Sequence, residues 1–324
     1  KYYANKMTAH LAKIIGKDPL PYQSEADKIL KAMNQQLWMP EKGWFAENKD
    51  LLGLQKIHPA AALWSIYHAI DSEISDPFQA WQCTRYIDTE IPHIPINIEG
   101  VAGDYYTLST TNWMPYAWST NNVASGEVFH TALAYWQAGR SDEAFRIAKS
   151  SLLDYMYLGS SPGNFGQLSF YDVYRGELYR DFADGIGIAS RAIMEGLFGI
   201  CPDATKGKLL IEPGFPSDWK FASIKTPDIS IDFKRENTTD SYSVETNFFN
   251  SLELVIRVKA QLDNVKSVTV NDHPVEWKFV SEAIGQPKIE LTCQPSEKQK
   301  IRIEWLGEKP DTIKLPAFFA KGEK

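Results

Sequence analysis

The stretch Glu195-Gly196-Leu197-Phe198-Gly199-Ile200-Cys201-Pro202-Asp203-Ala204, followed by Gly207-Lys208-Leu209-Leu210-Ile211, divides this sequence into two textures. Upstream of it, apolar residues recur at three- and four-residue spacing. Downstream, they alternate or form short runs broken by turn residues. The first pattern lines one face of a helix and the second one face of a strand, because the two backbones repeat about every 3.6 and 2.0 residues.

Working back from Gly199, about seven helices are expected. The last runs from about Asp184 to Phe198. Before it come Val128, Thr131, Ala132, Tyr135 and Trp136, stopped at Gly139, and a helix begun by Ser141-Asp142-Glu143 and carrying Ala144, Ile147, Ala148 and Leu152. Asp76-Pro77 opens another, with Phe78 and Trp81. Pro59 suits a first helical position before Leu63, Ile66, Tyr67 and Ile70. Ser24 is a candidate cap for a helix carrying Ile29, Leu30, Met33 and Leu37, and Met7, Leu11, Ile14 and Ile15 mark the first helix. Residues 91–120 and 157–182 read as long, weakly periodic loops rich in aromatics and carboxylates. Loops of that length in a packed domain are usually either functional or wrongly assigned, and these read as functional.

Forward from Gly199, at least seven short strands follow, including Ile229–Phe233, Leu252–Ile256, Val268–Val270 and Ile301–Trp305, with turns at Pro213-Gly214 and Asn271-Asp272. Short strands at this spacing predict an antiparallel sandwich. The expected division is a helical segment over 1–204 and an all-β antiparallel sandwich over 205–324. A chain of 324 residues is long enough for two cores.

Charge narrows the partners. The net charge is −7 and no basic block occurs, which argues against a nucleic-acid partner. No run of about 18 apolar residues occurs, so no membrane span is expected. Cys83, Cys201 and Cys293 lie far apart and read as buried small hydrophobes rather than a disulfide framework or metal pair. No metal site and no cofactor are expected, since metal-ligand, nucleotide and dinucleotide motifs are missing. Ten Trp and fifteen Tyr can serve as core or as platforms for sugar rings.

The densest chemistry lies in Tyr171-Asp172-Val173-Tyr174-Arg175-Gly176-Glu177-Leu178-Tyr179-Arg180-Asp181-Phe182-Ala183-Asp184. Glycoside hydrolysis needs one protonated and one ionised carboxyl. Apolar neighbours raise a carboxyl pKa and an Arg lowers it, so this mixture supplies both environments. Structural Arg–carboxylate pairs, with Asp184 as a helix cap, are the competing reading. A second cluster runs from Gly103-Asp104-Tyr105 through Trp113, Trp118 and Asn122, where rings alternate with amides and hydroxyls, as polyol recognition requires. Packed Asx-turns would explain the same residues. Glu127 and His130 lie one helical turn apart just beyond, either facing a cavity or facing solvent. Trp44, in Gly43-Trp44-Phe45-Ala46-Glu47, closes a subsite or sits in a core turn.

Asp181-Phe182-Ala183-Asp184, Ser190-Arg191-Ala192 and Glu195 to Ala204 resemble the closing helix of (α/α)6-barrel glycoside hydrolases. Gly207 to Trp219 is similar to their passage into a C-terminal β-sandwich. The layout resembles that of α-L-rhamnosidases and debranching enzymes, and the stretch Trp113–Gly199 an uncharacterised family of glycoside-hydrolase-like proteins from gut-type bacteria. The resemblance covers roughly residues 40–235. It implies a segment of an α/α toroid followed by a sandwich, a carbohydrate substrate, and a periplasmic or secreted location. By position Glu177 matches the general base. Gly103-Asp104-Tyr105 is the nearest match to the loop of the general acid, with Tyr where Trp is usual. A six-hairpin toroid needs twice six helices against about seven read here, so either an N-terminal portion of the same protein lies outside this chain or some helices escape the periodicity.

The expectation is inverting hydrolysis of a glycosidic bond in an oligo- or polysaccharide. Glu177 would be the base and Asp104 or Glu127 the acid. Arg175, Trp113, Trp118, Asn122, His130, Asp181, Asp184 and Trp44 would hold the sugar. A phosphorylase or epimerase on the same barrel, with Arg175 and Arg180 as an anion pocket, and a non-catalytic glycan-binding protein are the alternatives.

Overall fold

Seven α-helices occur among the described residues, all before residue 192: α1 (Tyr2–Ile14), α2 (Leu20–Gln36), α3 (Leu63–Asp71), α4 (Pro77–Glu90), α5 (Ser125–Gln137), α6 (Ser141–Leu153) and α7 (Asp184–Arg191). The computed structural model describes residues 1–114, 120–155, 170–172, 177–179 and 184–310, with backbone alone at 170–172, 177–179 and 184. The chain divides into two units, Lys1–Ala192 and Ile193–Lys324.

Helix starts follow local chemistry where the side chains provide it. Asp76 accepts from the Gln79 backbone N–H at 2.8 Å while Gln79 accepts from Asp76 N–H at 3.1 Å, a reciprocal cap with Pro77 at the first helical position. Two expected starts are corrected. Helix α2 begins at Leu20, not after Ser24: the Asp18 carboxylate takes the Leu20 N–H at 3.0 Å and Pro21 lies in its first turn, leaving Ser24 inside the helix. Helix α3 begins at Leu63, not at Pro59. Glu47, reaching from a distant turn, accepts from Ala62 N–H at 3.0 Å, from the Trp64 indole at 3.1 Å and from the Ser65 hydroxyl. That single carboxylate supplies the cap that the local sequence lacks.

Helix α5 is central to the helical unit. Val128, Phe129, Ala132, Leu133, Tyr135 and Trp136 are buried on several of its sides, as expected of a helix packed by neighbours all round. It packs against α3, α4, α6 and α7. The first turns of α5 and α7 meet closely: a Cβ at Gly185 would lie 2.5 Å from Ser125 Oγ. Helices α1 and α2 pair with each other and leave Leu11, Ile14, Ile15 and Leu20 exposed.

Small sheets bind the connections. Strands β1 (Trp38–Met39) and β2 (Trp44–Phe45) pair, as do β3 (Asn48–Lys49) and β4 (Ile57–His58). The region 91–120, expected to lack regular structure, contains the hairpin β5 (His93–Ile96) and β6 (Tyr105–Leu108). The four-residue strands are too short for their alternation to stand out in sequence. Strands β7 (Val123–Ala124), β8 (Phe170–Asp172) and β9 (Glu177–Tyr179) form a three-stranded sheet.

Beyond α7 a π-helical turn, Ala192–Leu197, leads to Gly199, whose φ is +66° and whose added Cβ would sit 2.0 Å from the Glu212 carbonyl oxygen. Only glycine fits there. It starts β10 (Ile200–Asp203), which hairpins onto β11 (Lys208–Ile211). The strand unit then holds β12 (Phe221–Lys225), β13 (Ile229–Glu236), β14 (Thr239–Thr246), β15 (Glu253–Lys259), β16 (Asn264–Val270), β17 (His273–Pro274), β18 (Trp277–Phe279), β19 (Lys288–Cys293) and β20 (Lys298–Leu306).

These strands form a five-stranded sheet, β10-β11-β15-β19-β18, and a six-stranded sheet, β12-β13-β14-β20-β16-β17. Each buries one face, through Ile256, Val258, Ile289 and Leu291 in the first and Ile231, Phe233, Ile301 and Ile303 in the second. Burial of each such side chain stabilises by roughly 1.5–3 kcal/mol. The sheets are antiparallel except at one pair, β11 with β15, which is parallel. Three strands of the other sheet intervene between them, so the chain returns in the same direction, a crossover invisible in local alternation. The cysteines also divide: Cys83 and Cys293 are buried, but Cys201 is exposed.

Candidate functional site

A polar network joins α3, α5 and α7 in the helical unit. Asp71, at the end of α3, accepts both Arg191 guanidinium nitrogens at 2.7 Å, the Gln137 amide at 2.8 Å and lies 3.1 Å from His130 Nε2. Burial alone would raise its pKa, but these hydrogen bonds, with the Arg191 charge, hold its carboxyl well below the usual range. The His130 ring stacks on Tyr67 with centroids 4.0 Å apart, and Tyr67 donates its hydroxyl proton to Glu127. Glu127, in the first turn of α5, is thus held by a side chain that is itself fixed by the Asp71–His130 pair.

Partial positive charge at the helix N-terminus would stabilise the carboxylate that Glu127 becomes on giving up a proton. Ser125, two residues earlier, is fully buried, and its hydroxyl has no hydrogen-bond partner among the described residues. The β7–β8–β9 ladder pairs Val123 with Tyr171 and Asp172 with Glu177. The strand leading directly into α5 therefore shares a small sheet with the backbone of Glu177, and Asp184 is the first residue of α7, whose first turn abuts that of α5.

A further carboxyl at this end of the α5–α6 hairpin escaped the sequence reading. Asp154 follows the last turn of α6, and burial lifts its pKa to about 6. Among the described residues its carboxyl has no hydrogen bond or ion pair. A carboxyl protonated near neutrality is what proton donation to a leaving oxygen requires. The only available signal was an acid directly after Leu152-Leu153, which many surface helices also show.

The remaining candidates separate. Asp104 is exposed in the turn before β6. Trp113 donates its indole N–H to the Ala60 carbonyl at 2.8 Å and meets Trp64 edge-on at 5.9 Å. Trp44 donates to the Pro59 carbonyl at 2.7 Å and packs on Tyr86. Asn122 is fully buried, its side-chain oxygen accepting the Val123 N–H at 2.9 Å. Trp118, Arg175 and Asp181 lie outside the described residues, as do the side chains of Glu177 and Asp184. Among the described residues no group of three or more His, Cys, Asp or Glu side chains could hold a metal ion, and no helix is long and apolar enough to cross a membrane.

No family model and no curated protein sequence matches the chain. Among solved structures it resembles an α-L-rhamnosidase from Dictyoglumus thermophilum, with a TM-score of 0.57 and 13% identity over 94% of this chain. The chain spans 31% of that enzyme's length. A β-L-arabinofuranosidase from Geobacillus stearothermophilus gives a TM-score of 0.29 and 11% identity, over 75% of this chain and 41% of that one. A protein described as a glycoside hydrolase gives 0.36 and 6%, over 92% and 55%. The first likeness shows that the chain shares the fold of the corresponding third of a glycoside hydrolase.

Proposed function

We propose that the chain is the carboxyl-bearing part of a glycoside hydrolase acting on an oligo- or polysaccharide. The reading rests on one observation: Glu127 is held by the Tyr67 hydroxyl at the start of α5, whose leading strand shares a sheet with Glu177. Glu177 would activate water. Glu127 would protonate the leaving oxygen, and Tyr67 would then stabilise the carboxylate that this step produces. Asp154 is the alternative donor. Inversion corresponds to a carboxyl separation of about 6.5–9.5 Å and retention to about 5–5.5 Å.

The helical unit would be a segment of an (α/α)6 toroid and the two sheets a sandwich. The exposed Leu11, Ile14, Ile15 and Leu20 favour further helices completing the toroid. The test is release of reducing sugar or nitrophenol from a glycoside panel that includes an aryl α-L-rhamnoside, with the chain and Glu177→Gln. The proposal expects turnover that falls by about 100-fold or more in the variant. Undiminished turnover in Glu177→Gln removes that residue from the mechanism.

A further inference from the structure

The strand unit holds an open groove of about 690 Å³ that the carboxyl chemistry does not use. Its size lies in the range of small-molecule sites, about 300–1,000 Å³. Its walls come from one edge of each sheet. Strand β17 is the edge of the six-stranded sheet and β18 the edge of the five-stranded sheet, and Val275-Glu276 carries the chain from one to the other. The turn before β17 is fixed by Asn271 and Asp272, both at positive φ (50° and 65°), as a tight hairpin of mirror-image type requires.

Three features define what the groove can hold. Trp277 lines it half-buried, braced edge-on by Phe279 at 5.1 Å, so its indole is a fixed platform rather than a mobile surface ring. Among the described residues the Trp277 indole N–H and the His273 ring carry no hydrogen bond, so both remain available to a ligand. The charges in the wall are consumed: Glu290 pairs with Lys278 at 2.9 Å and with Arg257 at 2.6 Å. Glu276 is then left as an exposed acid beside the rim, and among the described residues the lining has no unpaired Lys or Arg to face it. A phosphate or polyanion finds no counter-charge here. A neutral ligand with apolar C–H faces and hydroxyl groups finds an aromatic platform, donors and an acceptor together.

We propose that this groove binds a neutral oligosaccharide, holding it on the strand unit. The proposal does not require the chain to be a hydrolase. The test is titration calorimetry of the full chain carrying Glu177→Gln, so that turnover cannot consume the probe, with cellohexaose, xylohexaose and mannohexaose. At least one is expected to bind, and Trp277→Ala to weaken that binding tenfold or more. Trp277→Phe, which keeps a ring, should lose less. Thr292→Arg, at an exposed lining position, fills the groove without touching the core and should abolish binding. No binding of any of the three, or binding unchanged in both Trp277→Ala and Thr292→Arg, overturns the proposal. Binding with no hydrolysis by the Glu177 form would sink the hydrolase reading and leave this one standing.

Discussion

Each unit places an aspartate against an arginine fork, and the two forks differ in what else they touch. In the strand unit Asp240 is fully buried, accepts Arg235 at 2.6 and 2.9 Å, and takes the Trp305 indole N–H at 3.0 Å. Its partners are a sheet neighbour and a core ring, and Arg235 reaches on to the Ser217 backbone carbonyl at 3.5 Å, so among the described residues the cluster leads to no further carboxyl. In the helical unit Asp71 takes Arg191 equally well but also binds His130, which stacks on Tyr67, which holds Glu127. The first arrangement locks strands together. The second passes its rigidity to a carboxyl that is only half-buried. An ion pair can therefore serve stability or the aiming of a reactive group, and its neighbours decide which.

The largest expected effect would sharpen that contrast. Asp240→Ala leaves the Arg235 charge and the Trp305 N–H buried without their acceptor, and should cost about 3–5 kcal/mol in urea unfolding. A loss under about 1 kcal/mol would mean that water satisfies the site. Next, Glu127→Gln should lower kcat by about 100-fold or more with little change in the unfolding midpoint. A variant with a lowered unfolding midpoint that retains its specific activity while folded would make Glu127 a structural residue.

Asp71→Asn tests the link between the two. It should lower kcat less than Glu127→Gln does, because it acts through His130 and Tyr67. It should also flatten the acid limb of stability. The Asp71 pKa is depressed in the folded chain, so its contribution is present above the ordinary carboxylate value near 3.8 and is lost as pH falls toward the folded value. An acid limb identical in the variant and the parent would break the argument.

The smallest effect concerns Asp154, whose shift has the opposite sign. Its pKa is raised to about 6, so the folded chain binds a proton that the unfolded chain has released between about pH 4 and 6. Stability is lost as pH rises through that window. Asp154→Asn should therefore melt higher than the parent at pH 8 and show little difference at pH 4. Equal melting shifts at both values would remove the buried-acid reading.

The sequence by itself determined the periodicity-driven features. The seven helices, the change of texture at Gly199 and the Asp76-Pro77 start were legible because burial on one face leaves a repeat in the residues themselves. Glu127 and His130 were singled out as a pair one turn apart, although their partners Tyr67 and Asp71 were not. Those partners are about 60 residues away, and no local pattern announces a contact between helices. The start of α3 was missed for the same reason, since its cap is Glu47 from another segment. The parallel pairing of β11 with β15 depends on where a distant strand returns. Only the tertiary structure decided these points, because hydrogen bonds, ion pairs and desolvation act through space. Periodicity records which face of an element is buried, not what it is buried against.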